Sequence, residues 1–228
     1  MKNKLQSDKA KRNQLVSSKY PQSIEELCDI FPEYVPIYDS RVRHYILRDH
    51  TNIVLNQFDR YFSNNFNDKE KELIRFFLII HDIGKPQAFK EGDKDKQYDH
   101  SIKITKDMWF KLPASQKDLN KVLFLMNSDH IGAYFQNKSD VESLSEVISY
   151  DSKVLNTKPK ELLYYFLVYY QCDTSAYTQD AGGSKFLEHL FFYENGAKVF
   201  DREEGILRFS PVYWDKYLKL KREILKCQ

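Results

Sequence analysis

The sequence has few of the features that mark a specialised class of protein. Its three cysteines, Cys28, Cys172 and Cys227, form an odd set with no paired spacing, which argues against a disulfide framework or a cysteine-based zinc module. No apolar stretch approaches the length of a membrane span, and the basic N-terminus lacks the apolar core of a signal peptide. We therefore expect a cytoplasmic protein without a membrane partner.

An excess of charge of one sign is also missing. The chain has 35 Lys and Arg residues against 33 Asp and Glu residues, a formal net charge of +2. Such a balance creates no strong field, so it neither requires nor excludes nucleic acid as a partner. Residues 1–20 are rich in Lys, Asn and Ser and are expected to form a basic, flexible tail, which suits a solubilising terminus or a contact with RNA.

The length sets the expected organisation of the chain. With 228 residues and 42% hydrophobic composition, the chain can build one domain with a sizeable core but offers no argument for two. We expect a single domain over residues 21–228. Composition does not determine its oligomeric state.

Strand signals are sparse, whereas helix start signals recur along the chain. Ser23 and Glu26 form a capping box for a short helix that stops before Pro32. Pro159 stands at the first turn of a long helix. Further helices are predicted to start at Asn67, Ser115 and Ser210-Pro211, and the helix from Ser115 is predicted to run towards His130. Ser139 with Glu142 is predicted to start another helix. The pattern predicts an all-α fold without internal repeats.

The most informative local feature is the doublet His81-Asp82, which ends an apolar helix and is followed by Ile83-Gly84-Lys85-Pro86. An adjacent imidazole and carboxylate at a helix end can hold a divalent metal if the fold brings further ligands to it. Four histidines lie in or beside predicted helices, about one helix or hairpin apart, so successive helices can point them at a common centre. These histidines are His50, His81, His100 and His130. Asp173 lies in an otherwise apolar and aromatic helix, where an unpaired charge is costly and a metal would offset the cost.

In this order of ligands the chain resembles the HD superfamily of metal-dependent phosphohydrolases, an all-α family defined by a His, a His-Asp doublet and a distant Asp. The resemblance covers about residues 41–178 and implies that His50, His81, Asp82 and Asp173 are metal ligands. Two-metal members of the family add two histidines, at positions that His100 and His130 match, and Asp82 would then bridge the metals. The resemblance implies an HD-domain helical bundle, and the segment 184–228 is expected to add C-terminal helices.

Two subgroups of the family can be compared locally. The segment from His81 to Pro86 is similar to the HD domain attached to bacterial tRNA nucleotidyltransferases. The nucleotidyltransferase half is missing, because Asp93-Lys94-Asp95 has the spacing of its catalytic carboxylates without the preceding Gly-Ser strand turn. The HD-GYP subgroup of cyclic dinucleotide phosphodiesterases is a poor match, since no Gly-Tyr-Pro follows the doublet.

The ligand set predicts the chemistry. Imidazole and carboxylate ligands without thiolate favour one or two ions of manganese, iron, cobalt, nickel or zinc. Two such ions roughly 3.5–4 Å apart activate a bridging water and stabilise the attacking and leaving oxygens of an in-line displacement. We expect hydrolysis of a phosphoester of a nucleotide, a dinucleotide or an RNA end, with Asp82 as the central catalytic ligand. Lys85 is expected to bind the substrate phosphate as a point charge.

Two other functions fit the same residues. Inositol-oxygenase-like members of the fold use the same six-ligand pattern to hold two irons, and a non-catalytic nucleotide- or RNA-binding module would keep the metal centre as a stabiliser. The ligands do not encode the substrate, the metal or the number of ions. Among neighbouring groups, Asp129 is expected to be a surface carboxylate, because residues adjacent in sequence on a helix point in different directions. The loop around Gly182-Gly183 is expected to close over the site.

Overall fold

The computed structural model describes residues 18–127 and 129–226, and its architecture is essentially all-α, as the sequence predicts. The helices are α1 (Ile24–Ile30), α2 (Val35–Tyr38), α3 (Leu47–Tyr61), α4 (Asp68–Ile80), α5 (Lys85–Lys90), α6 (Gln97–Trp109), α7 (Gln116–Met126), α8 (His130–Phe135), α9 (Val141–Val154), α10 (Pro159–Ser175) and α11 (Pro211–Lys226). Antiparallel pairs of two-residue strands join β1 (Arg41–Val42) to β2 (Tyr45–Ile46), β3 (Tyr193–Glu194) to β4 (Ala197–Lys198), and β5 (Phe200–Asp201) to β6 (Ile206–Leu207). Within the described residues, no helix is both long and apolar enough to cross a bilayer.

Local sequence signals explain where several helices begin. The Asn67 side chain accepts the Glu70 N–H at 3.1 Å, and the Glu70 carboxylate accepts the Asn67 N–H at 3.4 Å, which completes a capping box. The predicted starts at Ser23, Ser115, Pro159 and Pro211 are confirmed as well. Caps depend on residues only a few positions apart, so the sequence alone can specify them.

Two helix predictions are wrong in detail. The N-cap of α9 is Asp140, whose carboxylate accepts the Ser143 N–H at 2.7 Å, rather than Ser139 with Glu142. The helix that starts after Ser115 ends at Met126, and Asp129 caps the separate helix α8. In both places an aspartate satisfies a donor in the first turn and thereby determines the start of the helix.

Helix α10 lies in the core of the bundle. It packs against α3, α8, α9 and α11, and buried residues occur on nearly every side of it. A helix that is apolar around most of its circumference is expected to be a core element. Asp173, in the last turn of α10, therefore projects from one of the enclosed elements of the fold.

The segment expected as a C-terminal helical extension is only partly helical. A 3-10 segment, Lys185–Leu190, leads into the two hairpins β3–β4 and β5–β6, and α11 follows. Asn195 and Gly196 join β3 to β4 with φ angles of 51° and 78°. An Asn-Gly pair accepts two positive φ angles and is a strong hairpin signal. The prediction of helix over this part of the chain is therefore wrong for a reason visible in the sequence.

The hairpins are fastened to helices of the bundle. On α10, the Gln171 amide donates to the Leu207 carbonyl at 2.6 Å and its Oε1 accepts the Leu207 N–H at 2.8 Å. The buried Lys198 ammonium donates to Asp180 Oδ1 at 2.6 Å and to Gln57 Oε1 at 3.3 Å. Gln57 belongs to α3, Asp180 follows α10, and Lys198 lies in β4. These bonds therefore link the β3–β4 hairpin to α3 and to the segment after α10.

The predicted tail, residues 1–20, falls mostly on residues 1–17, which lie outside the described residues. Its last two positions belong to the bundle. The Tyr20 side chain is 4% exposed and donates to the Asp118 carboxylate at 2.6 Å, and Lys19 forms an ion pair with the same carboxylate at 3.0 Å. The prediction of a flexible tail is therefore wrong for Lys19 and Tyr20, because burial of the Tyr20 ring fixes them against α7.

Candidate metal centre

The turn after α4 carries two of the predicted ligands and depends on Gly84. The Gly84 N–H donates to Ser101 Oγ at 2.9 Å, so α6 approaches this turn closely. A Cβ on Gly84 would lie 2.4 Å from the Ser101 nitrogen and 2.5 Å from the Gln97 carbonyl oxygen. Both are backbone atoms, which cannot give way without a shift of α6. Glycine is therefore required because α6 approaches closely. Its backbone conformation is not the reason, because a φ of −85° suits any residue.

Helices α3 and α10 bring the other two predicted ligands together. His50, in the first turns of α3, is buried, and its Nε2 donates to Asp173 Oδ1 at 2.9 Å. Two tyrosine rings enclose the His50 ring, with centroids at 4.8 Å for Tyr45 and 4.9 Å for Tyr177. The two phenol oxygens lie 3.4 Å apart. This packing holds the imidazole with Nε2 towards Asp173.

Four of the six predicted ligands converge. Ligand atoms of His50, His81, Asp82 and Asp173, one from each residue, all lie within 4.8 Å of one another. Asp82 Oδ2 is 3.6 Å from His50 Nε2 and 3.4 Å from His81 Nε2, and Asp173 Oδ1 is 3.6 Å from His81 Nε2. We call these four residues the ligand group. It can hold a metal ion.

His81 shows that the ligand group suits a cation. Its Nδ1–H donates to the Leu78 carbonyl at 2.7 Å, a bond that leaves Nε2 as the bare nitrogen of the neutral ring. Nε2 is buried and has no hydrogen-bond partner among the described residues. It faces carboxylate oxygens of Asp82 and Asp173, which also only accept. Acceptors that face one another in a largely buried group need positive charge between them, and metal ions bind this combination of imidazole nitrogen and carboxylate oxygen.

Lys85 and the histidines supply positive charge from the chain itself. Burial favours the neutral His81 ring, yet the carboxylates of Asp82 and Asp173 raise the pKa of His81 above its usual value. Burial also opposes ionisation of Asp173, but the Lys85 ammonium and the hydrogen bond from His50 hold the pKa of Asp173 well below its usual range. The Lys85 ammonium donates to Asp82 Oδ2. Although burial acts against the charge, Asp82 holds the pKa of Lys85 well above its usual range.

The structure does not bring His100 and His130 into the ligand group. His100 Nε2 lies 3.1 Å from Glu91 Oε2 and forms an ion pair with it when protonated. The His130 ring stands edge-on to Phe166 with centroids 5.5 Å apart, and burial lowers the pKa of His130. Each ring has a local partner instead. The six-ligand, two-metal centre, with Asp82 as its bridge, therefore remains a prediction that this geometry does not support.

A small cavity of about 180 Å³ opens beside the ligand group. Its wall consists of His81, Asp82, Lys85, Lys94, Gln97, Tyr98, Asp129, Tyr169, Tyr170, Asp173 and Tyr177. Asp129 thus lines the cavity, and the prediction of a surface carboxylate is wrong. Its Oδ1 accepts the Gly132 N–H at 2.8 Å as the cap of α8, and that bond orients the side chain. Burial, aided by Asp173 and opposed by the Gly132 bond, raises the pKa of Asp129.

The sequence did not assign Asp129, Lys94 or Gln97 to the site, because none of them belongs to the predicted ligand pattern. Only Asp129 had a usable signal, since aspartate is a preferred N-cap residue. The Gly182-Gly183 loop lines a second cavity of about 340 Å³ beside His50 and Tyr177. A larger cavity of about 580 Å³, between α4, α7 and the start of α10, contains none of the ligand group, so volume alone does not locate the chemistry.

No family model matches the chain, and no curated protein or solved structure matches it either. The fold and the site together define an essentially all-α protein with a candidate metal centre of two histidines and two aspartates. This arrangement is consistent with an HD-like site. The geometry of the ligand group and its cavity is therefore the basis for assigning a function.

Proposed function

We propose that this protein is a metal-dependent phosphohydrolase that hydrolyses a phosphoester of a nucleotide, a dinucleotide or an RNA end. The observation that carries the proposal is the convergence of two imidazoles and two carboxylates beside a partly buried lysine and a cavity. His50, His81, Asp82 and Asp173 would hold the metal ion, which would supply polarisation of a phosphoryl oxygen and activation of a water near neutral pH.

The residues of the site have separate roles in this proposal. His50 and His81 present Nε2 atoms, while Asp82 and Asp173 supply the negative charge that retains a divalent cation. Lys85 is in contact with Asp82 Oδ2. If Asp82 were to hold a metal ion, the Lys85 ammonium would be available to orient a phosphate oxygen. A water oxygen bonds to phosphorus, the ester P–O bond breaks, and the alcohol departs with a proton from the water.

The number of converging residues favours hydrolysis at one metal ion over the alternative of a di-iron oxygenase. The oxygenase pattern uses six ligands, and two of the candidates, His100 and His130, contact Glu91 and Phe166 instead. Hydrolysis requires an activated water and a stabilised phosphoryl group, which one cation with a neighbouring lysine can provide.

The proposal is tested first with protein purified without added metal, by elemental analysis. The protein is then assayed with Mn²⁺, Fe²⁺, Co²⁺, Ni²⁺ and Zn²⁺ on nucleotides, on cyclic and linear dinucleotides and on RNA ends. We expect metal-dependent hydrolysis that Asp82→Ala abolishes while the helical circular dichroism spectrum is retained. Asp99→Ala, an exposed aspartate on α6, is the matched control and should remain active.

Three results would contradict the proposal. Turnover retained by Asp82→Ala would separate hydrolysis from the ligand group. Tightly bound iron with oxygen consumption and no phosphate release would support the oxygenase. Binding of RNA that weakens steeply with salt, without any turnover, would support the binding module.

A further inference from the structure

Helix α9 exposes an apolar stripe to solvent. Its opposite face is buried and packs against α8, α10 and α11. On the outer face, Val147, Tyr150 and Val154 are 36%, 68% and 53% exposed. An apolar row along one face of a helix usually packs against another element. None of these residues belongs to the ligand group or lines the cavity beside it, so the stripe is a separate surface.

The spacing of the stripe is that of a coiled-coil seam. Together with the exposed Ser143, the three apolar residues recur at intervals of four, three and four residues. These intervals are those of the a and d positions of a heptad repeat, with Val147 and Val154 at a and Ser143 and Tyr150 at d. Side chains at a and d pack as knobs into the holes of a facing helix. A second helix with matching spacing can therefore pack along the outer face of α9.

One edge of the stripe carries two opposite charges. Glu146 and Lys153 are exposed and lie seven residues apart, at successive g positions of the same repeat. Neither forms an ion pair with another described residue. Charged residues at g positions form ion pairs between helices and thereby determine the choice and the orientation of the partner. The two charges therefore indicate which helix can pack here.

A second copy of α9 matches this edge when it runs antiparallel. The two-fold axis of an antiparallel pair places each g edge opposite the same edge of the other helix, so Glu146 of each copy faces Lys153 of the other. A parallel pair would instead place this edge opposite the one that carries Leu144 and Asp151. Both of those residues are buried in the bundle. The exposed charges are therefore complementary to themselves only in the antiparallel arrangement.

We propose that the protein forms a dimer through antiparallel pairing of α9 with α9 of a second copy. The two-fold axis passes between Val147 and Tyr150, so that Val147 of each copy packs on Tyr150 of the other. The same axis places the small Ser143 opposite Val154. A two-fold pair uses the same patch on both copies, so the assembly closes at two chains. Two heptads form a small interface of the weak, transient kind, so association depends on protein concentration.

The first test measures the oligomeric state of the full chain by sedimentation equilibrium. Over concentrations from about 1 µM to 1 mM, in which weak complexes associate, we expect the mean mass to rise from one chain towards two. Tyr150→Glu places a charge in the apolar seam and should raise the dimer dissociation constant by more than about tenfold. Phe110→Glu is the matched control. Phe110 is an apolar residue at the end of α6, 88% exposed, and its substitution should leave the constant unchanged.

Charge reversal tests the orientation of the two helices. Either Glu146→Lys or Lys153→Glu alone replaces both attractions of the pair with repulsions and should raise the dissociation constant by about tenfold. The double variant exchanges the two charges and should restore the wild-type constant to within about threefold. Circular dichroism checks that each variant keeps its helix content. If Tyr150→Glu does not fold, these surface variants alone decide the question.

Each of three outcomes would overturn the proposal. A monomer at every concentration would leave the outer face of α9 to a partner of another kind. A dimer that Tyr150→Glu does not weaken would be formed by a different surface. A double charge variant that associates as weakly as the single variants would exclude the antiparallel arrangement.

Discussion

The two pairs of histidines in this chain are similar in spacing but opposite in surroundings. His50 and His81 are buried against carboxylates in a group that needs positive charge. His100 instead pairs with Glu91, and His130 packs against Phe166. All four lie in or beside helices. Spacing in the sequence therefore identifies candidate ligands, whereas the groups that each imidazole nitrogen faces determine which candidates can bind the same ion.

Removing one histidine from each pair tests this difference most directly. We expect His50→Gln to lower Mn²⁺ affinity by more than about 100-fold, beyond the 10–100-fold typical for loss of a group that only supports a ligand. His100→Gln should have little effect, because its ring contacts Glu91 outside the ligand group. Titration calorimetry measures both. Equal losses would restore His100 as a ligand and remove the distinction.

A substitution at Gly84 should distort the turn that carries His81 and Asp82. We expect Gly84→Ala to reduce the free energy of unfolding by about 1–3 kcal/mol, the usual cost of overpacking, because the new Cβ would press on the backbone of α6. Urea denaturation measures the loss, and Mn²⁺ affinity should fall with it.

Gly92→Ala is the matched control for that variant. Gly92 has a φ of +72° and no atom within 4 Å of an added Cβ. Gly92→Ala should therefore reduce the free energy of unfolding only by the strain of the left-handed conformation, about 1 kcal/mol. Retained Mn²⁺ affinity in Gly84→Ala would show that the approach of α6 does not position the ligands.

The pH dependence should differ in sign between His81 and His130. The folded pKa of His81 is raised, so its protonation stabilises the metal-free fold below the usual histidine pKa, and this contribution is lost as the pH rises through the folded value. The folded pKa of His130 is lowered, so its contribution is present above the usual pKa and is lost as the pH falls through the folded value. Urea denaturation of His81→Gln and His130→Gln between about pH 5.5 and 8 measures both, and shifts of the same sign would contradict the assignment.

The pH dependence of metal binding should also differ between His81 and His130. A protonated Nε2 cannot bind a metal, so apparent Mn²⁺ affinity should fall by up to about tenfold for each pH unit below the raised pKa of His81. His130→Gln should show the same profile as the wild type, because its ring lies outside the ligand group. A profile altered by His130→Gln would place that histidine at the metal.

The smallest expected effect concerns Asp129, the neighbour of His130. Asp129→Ala removes the cap of α8 and should cost about 1 kcal/mol of stability, whereas Asp129→Asn keeps a capping oxygen and should cost little. Thermal denaturation distinguishes the two variants. A large loss in Asp129→Asn would mean that the negative charge of Asp129, rather than its hydrogen bond to Gly132, stabilises this wall of the cavity.

Much of the fold was predictable because the signals were local. Ser23, Asn67 and Ser115 cap helices through bonds to residues three positions on, and Pro159 opens α10. The error at Ser139 shows the limit of such signals, because Asp140 beside it makes the same kind of bond one residue later. Two adjacent residues with capping side chains leave the start of a helix undetermined until the turn is packed.

The candidate site was predictable only where the pattern constrained several residues at once. The four residues of the ligand group were predicted because a first His, a doublet and a distant Asp match the HD pattern together. His100 and His130 matched by position alone, and nothing in the sequence gives the rotation of α6 or α8 about its own axis. Gln97 and Asp129 line the cavity together with Tyr169, Tyr170 and Asp173 of α10, a tertiary juxtaposition that a single sequence does not report.

The amide of Gln171 has a consequence for the behaviour of the protein in solution. Strand β6 pairs with β5 along one side, and Gln171 satisfies both backbone groups of Leu207. Exposed strand edges with free N–H and C=O groups recruit other chains and promote aggregation. A single helical side chain here takes the place of a neighbouring strand, so this hairpin is protected at Leu207 from edge-to-edge association.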